Sequence, residues 1–294
     1  MSGAGVKPLV RISAHDAPMM IRPRNLLLIA CGLVAIGLAS SLPASAEDAA
    51  LRPLCPDRPT KSTAPCTLDA GHWQVETDLV DGTFQRSGGV TTDLWLVASP
   101  TLKYGVSDRL DLEATVTPLL VQRTRDHAAP DATLSGVGDL YLRAKLNLWG
   151  QGTASPWVVS VVPYVKAPVA RHGLGNDAWE GGVLLPASYK VNDAISLGFS
   201  PEVDLLKDSN GNGRHLNVIQ TAGLNWSLPK GWTVSGELWG DWNDDPAGTV
   251  RQVSFDLAAA LQVGDNVQWD AGLNLGLNHA TPGAQVYMGL SRRF

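Results

Sequence analysis

Apolar and polar side chains alternate along most of the chain after residue 71. About twelve stretches of roughly ten to fifteen residues show this period of two, most clearly 139–148 and 269–278. Successive side chains of a β-strand point to opposite faces, so each stretch predicts a strand with one apolar face. No stretch after residue 71 shows convincing helical spacing. The pattern predicts an all-β protein.

The final stretch, 284–294, ends the chain on an aromatic residue. Its apolar face is formed by Val286, Met288, Leu290 and Phe294. Outer-membrane barrels alternate lipid-facing and lumen-facing residues along every strand. We therefore interpret this stretch as the strand that closes a transmembrane barrel.

The connections between the predicted strands alternate between short and long. Short turns lie near 105–107, 150–152, 191–193, 228–231 and 264–266. Longer polar segments lie near 82–91, 123–134, 168–177, 207–214 and 243–250, with a smaller one near 279–283. Short periplasmic turns and longer outside loops are the rule in outer-membrane barrels. The sequence thus predicts an antiparallel up-and-down β-barrel of about 12 strands over residues 71–294, with both ends in the periplasm.

Tryptophans lie repeatedly beside the short turns. Trp149 and Trp157 flank one turn, and Trp226 and Trp232 flank another. Indole rings prefer the membrane interface, where the apolar ring and the polar N–H are both satisfied. A soluble sandwich would not place its core tryptophans repeatedly beside turns, so the pattern favours a barrel in the outer membrane.

The N-terminal region has the features of a signal peptide. Arg22 and Arg24 precede an apolar run at 26–38, and Ala-Ser-Ala at 44–46 forms a small-x-small cleavage site. The run is too short to span a membrane as a helix. We predict that residues 1–46 are cleaved after export to the outer membrane.

Residues 47–70 are predicted to form a periplasmic N-terminal segment or an extension that plugs the barrel. The segment contains Cys55 and Cys66, whose spacing fits neither a zinc knuckle nor a thioredoxin-like pair. Exported proteins fold in an oxidising compartment. We expect these cysteines to form a disulfide.

The charge balance argues against nucleic acid as a partner. Removal of residues 1–46 leaves 19 basic and 27 acidic side chains, whereas nucleic-acid binding needs a basic face. The expected partners are outer-membrane lipids, the barrel-assembly machinery and small-molecule solutes. No cofactor and no metal are expected.

Two sequence features resemble functional sites but lack essential residues. The run 208–213 matches the first half of a calcium-binding loop, but Ile219 occupies the position of the bidentate acid. Four of the five histidines after residue 46 lie in or beside predicted outside loops, and no nucleophile elbow accompanies them. We expect no catalytic residues.

The parity of each strand predicts a polar lumen. The candidate lining residues are Glu76, Asp111, Glu113, Asp139, Arg143, Lys145, Glu202, Asp204, Glu237, Asp256, Asp270 and Asn274. If the lumen is open, its acidic excess predicts a preference for cations. The alternative is that these charges pair into a closed network. Val158, Val162, Tyr164 and Leu184 would add an apolar patch.

Several segments resemble a known family. They are 136–140 (Gly-Val-Gly-Asp-Leu), the terminal stretches 271–282 and 289–294, and 100–110 with its Pro-x-Leu-x-Tyr-Gly. Together they resemble outer-membrane proteins named for the meta-pathway of phenol degradation. Arg292 departs from the pattern, since an aromatic or aliphatic residue is more usual there. The resemblance implies an outer-membrane transporter, often associated with aromatic catabolism, without an established catalytic site.

These observations lead to one main expectation and two alternatives. We expect an outer-membrane channel or transporter for small solutes, with aromatic or hydrophobic compounds as candidate solutes. The first alternative is a structural or adhesive barrel whose lumen is closed, with residues 47–70 as its plug. The second is an outer-membrane lipid hydrolase.

Overall fold

The computed structural model describes residues 51–211 and 213–294. The predicted signal peptide, 1–46, lies outside the described residues. Fifteen strands make up one sheet: β1 Trp73–Ser87, β2 Val90–Ser107, β3 Leu110–Val116, β4 Leu119–Asp126, β5 Ala129–Gly136, β6 Leu140–Trp149, β7 Trp157–Ala167, β8 Glu180–Leu184, β9 Ala187–Lys190, β10 Ile195–Lys207, β11 Arg214–Ser227, β12 Trp232–Asn243, β13 Val250–Val263, β14 Val267–Gly276 and β15 Ala284–Arg293. A 3₁₀ turn, Pro229–Gly231, precedes β12. Within this part of the chain, no helix is long and apolar enough to cross a membrane.

Three of the membrane crossings are each interrupted once and therefore consist of two strands. β3 and β4 both pair with β2 and are separated at Thr117 and Pro118. β8 and β9 both pair with β7 and β10, with Leu185 and Pro186 between them. Proline has no N–H to donate to the sheet, which explains the breaks at these two sites. The third break, at 137–139, separates β5 from β6, so fifteen strands make twelve crossings.

The sheet closes on itself. β1 pairs with β2 on one side and with β15 on the other, where Gln74 lies opposite Arg293 and Phe84 opposite Ala284. All pairings are antiparallel, and most join neighbours in sequence. The predicted fold class, a transmembrane antiparallel barrel of twelve strands, is confirmed.

The barrel is apolar outside and polar inside. On β13, Phe255 and Leu257 are exposed while Ser254 and Asp256 are buried. The same alternation occurs on β11, where Leu216 is exposed and Asn217 is buried. Apolar residues on the outer face suit contact with lipid, and buried polar residues line the lumen. This arrangement reverses that of a water-soluble barrel.

Tryptophans form a belt at the rim that carries the short turns and both ends of the barrel. Six indole rings there are exposed: Trp73, Trp149, Trp157, Trp226, Trp232 and Trp269. Two of them stack with tyrosines, with ring centroids 4.5 Å apart for Trp73 and Tyr104 and 4.8 Å apart for Trp157 and Tyr189. Short turns identify this rim as periplasmic, and the aromatic belt marks the lipid interface.

Two predicted outside loops are strands in the structure. Residues 82–91 include only a two-residue turn, Gly88 and Gly89, with positive φ angles of 58° and 84°. Residues 123–134 likewise form the ends of β4 and β5 around a turn at 127–128. The prediction of loops was wrong here because strands that extend beyond the membrane no longer need an apolar outer face.

The closing strand presents Val286, Met288 and Phe294 on the exposed outer face. Arg292 shares this face, and its guanidinium lies 4.7 Å from the centroid of the Phe294 ring. A cation over an aromatic face is attracted by the ring quadrupole. The unusual arginine therefore has a local aromatic partner at the end of the barrel.

Candidate functional site

The candidate site is the lumen together with the segment that fills it. Residues 52–70, which we call the plug segment, enter the barrel from the periplasmic rim and contact strands on opposite walls. Cys55 and Cys66 are joined by a disulfide, with their Cα atoms 6.3 Å apart. The described part of the segment 47–70 thus lies in the lumen. There the charged side chains of the segment pair with buried charged side chains of the wall.

Arg58 is the first anchor of the plug segment. Its guanidinium forms ion pairs with Asp78 and with Asp270, the latter at 2.6 Å, and all three side chains are almost fully buried. Burial alone would lower the pKa of Arg58, but the two carboxylates raise it above its ordinary value. A Cβ at Gly289 would overlap the guanidinium. The missing side chain of Gly289 therefore makes room for this anchor.

Asp57 is the second anchor. Its carboxylate accepts hydrogen bonds from Lys103 at 2.5 Å and from Lys145 at 2.7 Å. Its backbone N–H donates to Glu76 of β1 at 2.9 Å. Burial by itself would raise the pKa of Asp57, but the two ammonium groups hold it far below its ordinary value. The plug segment thus supplies an anion to a pair of lysines on the wall.

Lys61 and its neighbour Ser62 form the third anchor. The ammonium of Lys61 donates to Ser254 Oγ at 2.6 Å and lies 3.0 Å from Asp256 Oδ2. Glu237 accepts hydrogen bonds from the backbone N–H groups of Lys61 and Ser62, both at 3.1 Å. This anchor joins the plug segment to β12 and β13.

The remainder of the plug segment crosses to the opposite wall. Asn147 Nδ2 donates to the Pro65 carbonyl at 3.3 Å, and the backbone N–H of Thr67 donates to Gln151 at 2.8 Å. The backbone N–H of Leu68 donates to Asp111 at 3.0 Å. The contacts with β3, β6, β12, β13 and β14 show that the segment spans the lumen.

Most of the predicted lining residues are buried, and more than half of them contact the plug segment or its ion pairs. Ten are buried: Glu76, Asp111, Glu113, Lys145, Glu202, Asp204, Glu237, Asp256, Asp270 and Asn274. Asp139 and Arg143 are half-buried. Glu113 lies 3.3 Å from Lys145, and Asp139 lies 2.9 Å from Lys166. The wall charges are thus largely paired while the plug segment is in place.

The extracellular half of the lumen contains polar atoms without partners. Asp204 accepts hydrogen bonds from Tyr164 at 2.6 Å and from Asn217 at 3.2 Å. Among the described residues, no hydrogen bond satisfies the buried atoms Asp81 Oδ1, Asn217 Oδ1, Trp239 Nε1, Asp241 Oδ1 and Asn274 Oδ1. Buried polar groups normally have a partner in the protein or in ordered water. This half of the lumen is therefore suited to water or a polar solute.

One wall of the extracellular half is apolar. Leu94 and Leu134 lie opposite Gln122, which is buried on the inner face, and Leu96 lies opposite Leu120. Side chains directly opposite one another share a face, so these four leucines line the lumen. The predicted apolar residues Val162 and Leu184 are also buried, and they face each other on β7 and β8. The lumen thus offers apolar as well as polar surface.

The connection 168–177 lies against this apolar wall. A Cβ at Gly173 would contact Leu134 at 3.1 Å. The backbone N–H of Ala170 donates to Asp139 at 3.1 Å, and the backbone N–H of Arg171 donates to the Val137 carbonyl at 3.0 Å. The connection therefore covers the edge of β5, whose ladder partner within the described chain is β4.

Among the described histidines, His215 is the most deeply buried, and it belongs to an extracellular loop cluster. His215 Nδ1 lies 2.9 Å from Asp208 Oδ1, while Ser209 Oγ donates to Asp245 at 2.7 Å. The serine therefore points to a carboxylate and not to the imidazole. The described chain contains no group of three or more His, Cys, Asp or Glu side chains arranged to hold a metal ion. Asp208 of the calcium-like run pairs with His215 within its own hairpin, while Ser209 joins this hairpin to the next loop.

Sequence reasoning missed the side of the site that the plug segment supplies. Asp57, Arg58 and Lys61 all lie between the two cysteines. Three charges within a short disulfide loop form a signal for ionic contacts with a charged lumen. Strand parity shows which wall residues face inward, but a segment outside the alternating pattern has no parity to interpret.

A closed antiparallel barrel with an apolar outer face, a polar lumen and an aromatic rim defines a class, the outer-membrane β-barrels. The chain belongs to the family described as "Putative MetA-pathway of phenol degradation", whose model matches residues 56–294. The resemblance found in the sequence is confirmed.

Two solved structures are similar to this chain, and the first of them shares its fold. An outer membrane channel from Pseudomonas putida F1 is 16% identical, with a TM-score of 0.62, and the match covers 78% of this chain and 98% of that one. The translocator domain of the autotransporter NalP from Neisseria meningitidis is 15% identical, with a TM-score of 0.47, over 92% of this chain and 96% of that one. No curated protein matches the sequence.

Proposed function

We propose that the protein is an outer-membrane channel for small solutes whose lumen is closed by the plug segment until that segment moves. The observation that carries the proposal is the way the segment is held. Three charged anchors, Asp57, Arg58 and Lys61, bind oppositely charged groups of the wall. When the segment withdraws, water hydrates the separated charges of the segment and of the wall, and no apolar core is exposed.

The size and lining of the barrel support transport over a purely structural role. A barrel of about eight strands is filled by its own side chains, whereas twelve strands enclose a wider lumen. Here that width is occupied by the plug segment. Two outer connections, at 88–89 and 127–128, are tight turns, which offer little surface for an adhesin.

The solute class we propose is small compounds with aromatic or other apolar parts. The apolar wall of Leu94, Leu96, Leu120 and Leu134 supports this choice, since apolar surface recognises apolar solutes. The description of the family, which refers to phenol degradation, agrees with it.

The direct test compares the mature protein with a variant that lacks residues 47–70. In planar bilayers we expect rare openings from the mature protein and frequent, larger openings from the shortened variant. Circular dichroism and cooperative thermal unfolding establish that both barrels are folded. Silence from a correctly folded shortened variant would contradict a channel and favour a closed structural barrel.

Ion selectivity provides a second test in the shortened variant. Loss of the plug segment leaves Asp256 and Asp270 without Lys61 and Arg58, so the acidic lumen should prefer cations. Replacing Asp256→Asn and Asp270→Asn together should move the reversal potential in a salt gradient toward that of an unselective pore. An unchanged potential would show that these carboxylates do not face the conducting path.

A further inference from the structure

One tryptophan differs from all the others. Nine of the ten tryptophans have exposed rings on the outside of the barrel or at its rims, whereas Trp239 is only 5% exposed. Trp239 lies on β12 between the inward residues Glu237 and Asp241. Its ring therefore faces the lumen, where an aromatic surface has no lipid to contact.

The ring of Trp239 covers a cation. The ammonium of Lys61 lies 4.2 Å from the ring centroid. The same ammonium donates to Ser254 Oγ and pairs with Asp256. A hydroxyl, a carboxylate and an indole face together satisfy the N–H groups of a primary ammonium. These three wall residues have the composition of an ammonium-binding site.

Lys61 is the most exposed of the three anchors, with 15% of its side chain exposed against 2% for Arg58 and 5% for Asp57. Burial lowers the pKa of Lys61, and the nearby carboxylates of Asp256, Glu237 and Asp81 do not fully offset it. By contrast, the partners of Arg58 and Asp57 more than offset the effect of burial. An exchange of the Lys61 ammonium for another ammonium therefore disturbs the plug segment less than loss of either other anchor.

The surroundings of the site contain unsatisfied polar atoms. Trp239 Nε1 is buried without a hydrogen-bond partner among the described residues, and the same holds for Asp81 Oδ1 and Asp241 Oδ1. Lys61 thus lies next to the polar half of the lumen that water or a solute would fill. A solute that enters from outside meets this site at the surface of the plug segment.

We propose that Trp239, Ser254 and Asp256 form a binding site for small primary ammonium compounds, which the side chain of Lys61 occupies when the channel is closed. An entering amine competes with Lys61 and so weakens one of the three anchors of the plug segment. This inference rests on the proposed channel function and names a substrate class for it, amines with an apolar body.

The test is a calorimetric titration of folded, detergent-solubilised full-length mature protein with n-propylammonium chloride. Lys61→Ala removes the ammonium and the three methylenes that precede it, so this probe matches the space left. We expect the variant to bind n-propylammonium about tenfold more tightly than the wild type, because in the wild type the Lys61 ammonium competes for the same site. Propan-1-ol, which has the same shape without the charge, should not bind.

Two further variants locate the site. Adding Trp239→Leu or Ser254→Ala to Lys61→Ala should weaken n-propylammonium binding several-fold, since each removes one wall group. Lys190→Ala, which removes an exposed lysine at the periplasmic end of β9, should behave as the wild type. Equal affinity in the wild type, in Lys61→Ala and in the wall variants would overturn the proposal, as would binding of propan-1-ol equal to that of the amine.

The outcome is distinguishable from that of the channel test because calorimetry needs no conduction. Binding by Lys61→Ala together with a silent shortened variant would refute the channel and retain the ammonium site. Openings of the shortened variant together with no binding by Lys61→Ala would retain the channel and refute the site.

Discussion

Arg58 of the plug segment and Asp270 of β14 are 212 residues apart in sequence, yet their side chains form a buried ion pair at 2.6 Å. Asp270 lies opposite Gly289 in the pairing of β14 with β15, and Asp78, the other partner of Arg58, lies opposite Gly289 in the pairing of β1 with β15 that closes the barrel. The space beside Gly289 is also where the guanidinium lies. Closure of the barrel therefore creates the binding site of the plug segment.

Replacement of Arg58 should release the plug segment and destabilise the barrel. Arg58→Met leaves Asp78 and Asp270 buried without their cation, and loss of one member of a buried pair costs about 3–5 kcal/mol. We expect a lower midpoint in urea unfolding and more frequent channel openings.

The control for this variant is an exposed ion pair. Arg123 and Asp131 lie 3.1 Å apart with about half of each side chain exposed, and exposed pairs contribute little. Arg123→Met should leave both measurements near the wild-type values. If Arg58→Met did the same, the pair with Asp270 would not hold the plug segment.

Strand parity allowed most of the barrel to be predicted from the sequence. The inward position of Asp256 and the outward position of Leu257 follow from the period of two alone. The strand breaks at Pro118 and Pro186 could not be predicted from this period. A proline changes the hydrogen bonds of the backbone and leaves the parity pattern largely unchanged.

The sequence predicted residues 47–70 as a plug of the lumen only as one of the alternatives. Asp111 and Glu237 have the same parity whether they face water or accept N–H groups from Leu68 and Lys61. Pairing between a wall and a segment depends on the path of the segment in three dimensions, which no local pattern specifies.

Acid should loosen the plug segment through Asp57. Its pKa is lowered in the folded protein, so it stabilises the closed state fully above its unfolded value of about 4, and this contribution is lost as the pH falls further. We expect channel openings to become more frequent below about pH 4. Single-channel recordings between neutral and acid pH measure this directly.

Asp57→Asn serves as the comparison for the acid effect. An amide cannot neutralise the ammonium groups of Lys103 and Lys145, so this variant should open frequently even at neutral pH and change less in acid. A wild-type opening frequency that is constant down to the lowest pH, or that falls, would argue against Asp57 as an anchor.

Reduction of the disulfide should loosen the plug segment without unfolding the barrel. A crosslink that closes a ring of this size stabilises the folded segment by about 3 kcal/mol in the chain-entropy account. Cys55→Ser with Cys66→Ser, or treatment with dithiothreitol, should increase current fluctuations while the β-sheet signal in circular dichroism stays the same. Loss of that signal would instead show that the barrel needs the crosslink.

Alanine substitutions of the inward-facing Gly272 and the outward-facing Gly236 should show that the lumen is tightly packed at Gly272. A Cβ at Gly272 would overlap the ring of Tyr287 on the neighbouring strand, whereas a Cβ at Gly236 would find its nearest atoms 4.0 Å away. Gly272→Ala must displace the tyrosine and should destabilise the barrel by about 1–3 kcal/mol. Gly236→Ala should be neutral or slightly stabilising, because glycine within a strand costs roughly 0.5–1 kcal/mol relative to alanine. Urea unfolding of the two variants measures the difference. Equal midpoints would show that Tyr287 moves aside freely and that its ring is not fixed against Gly272.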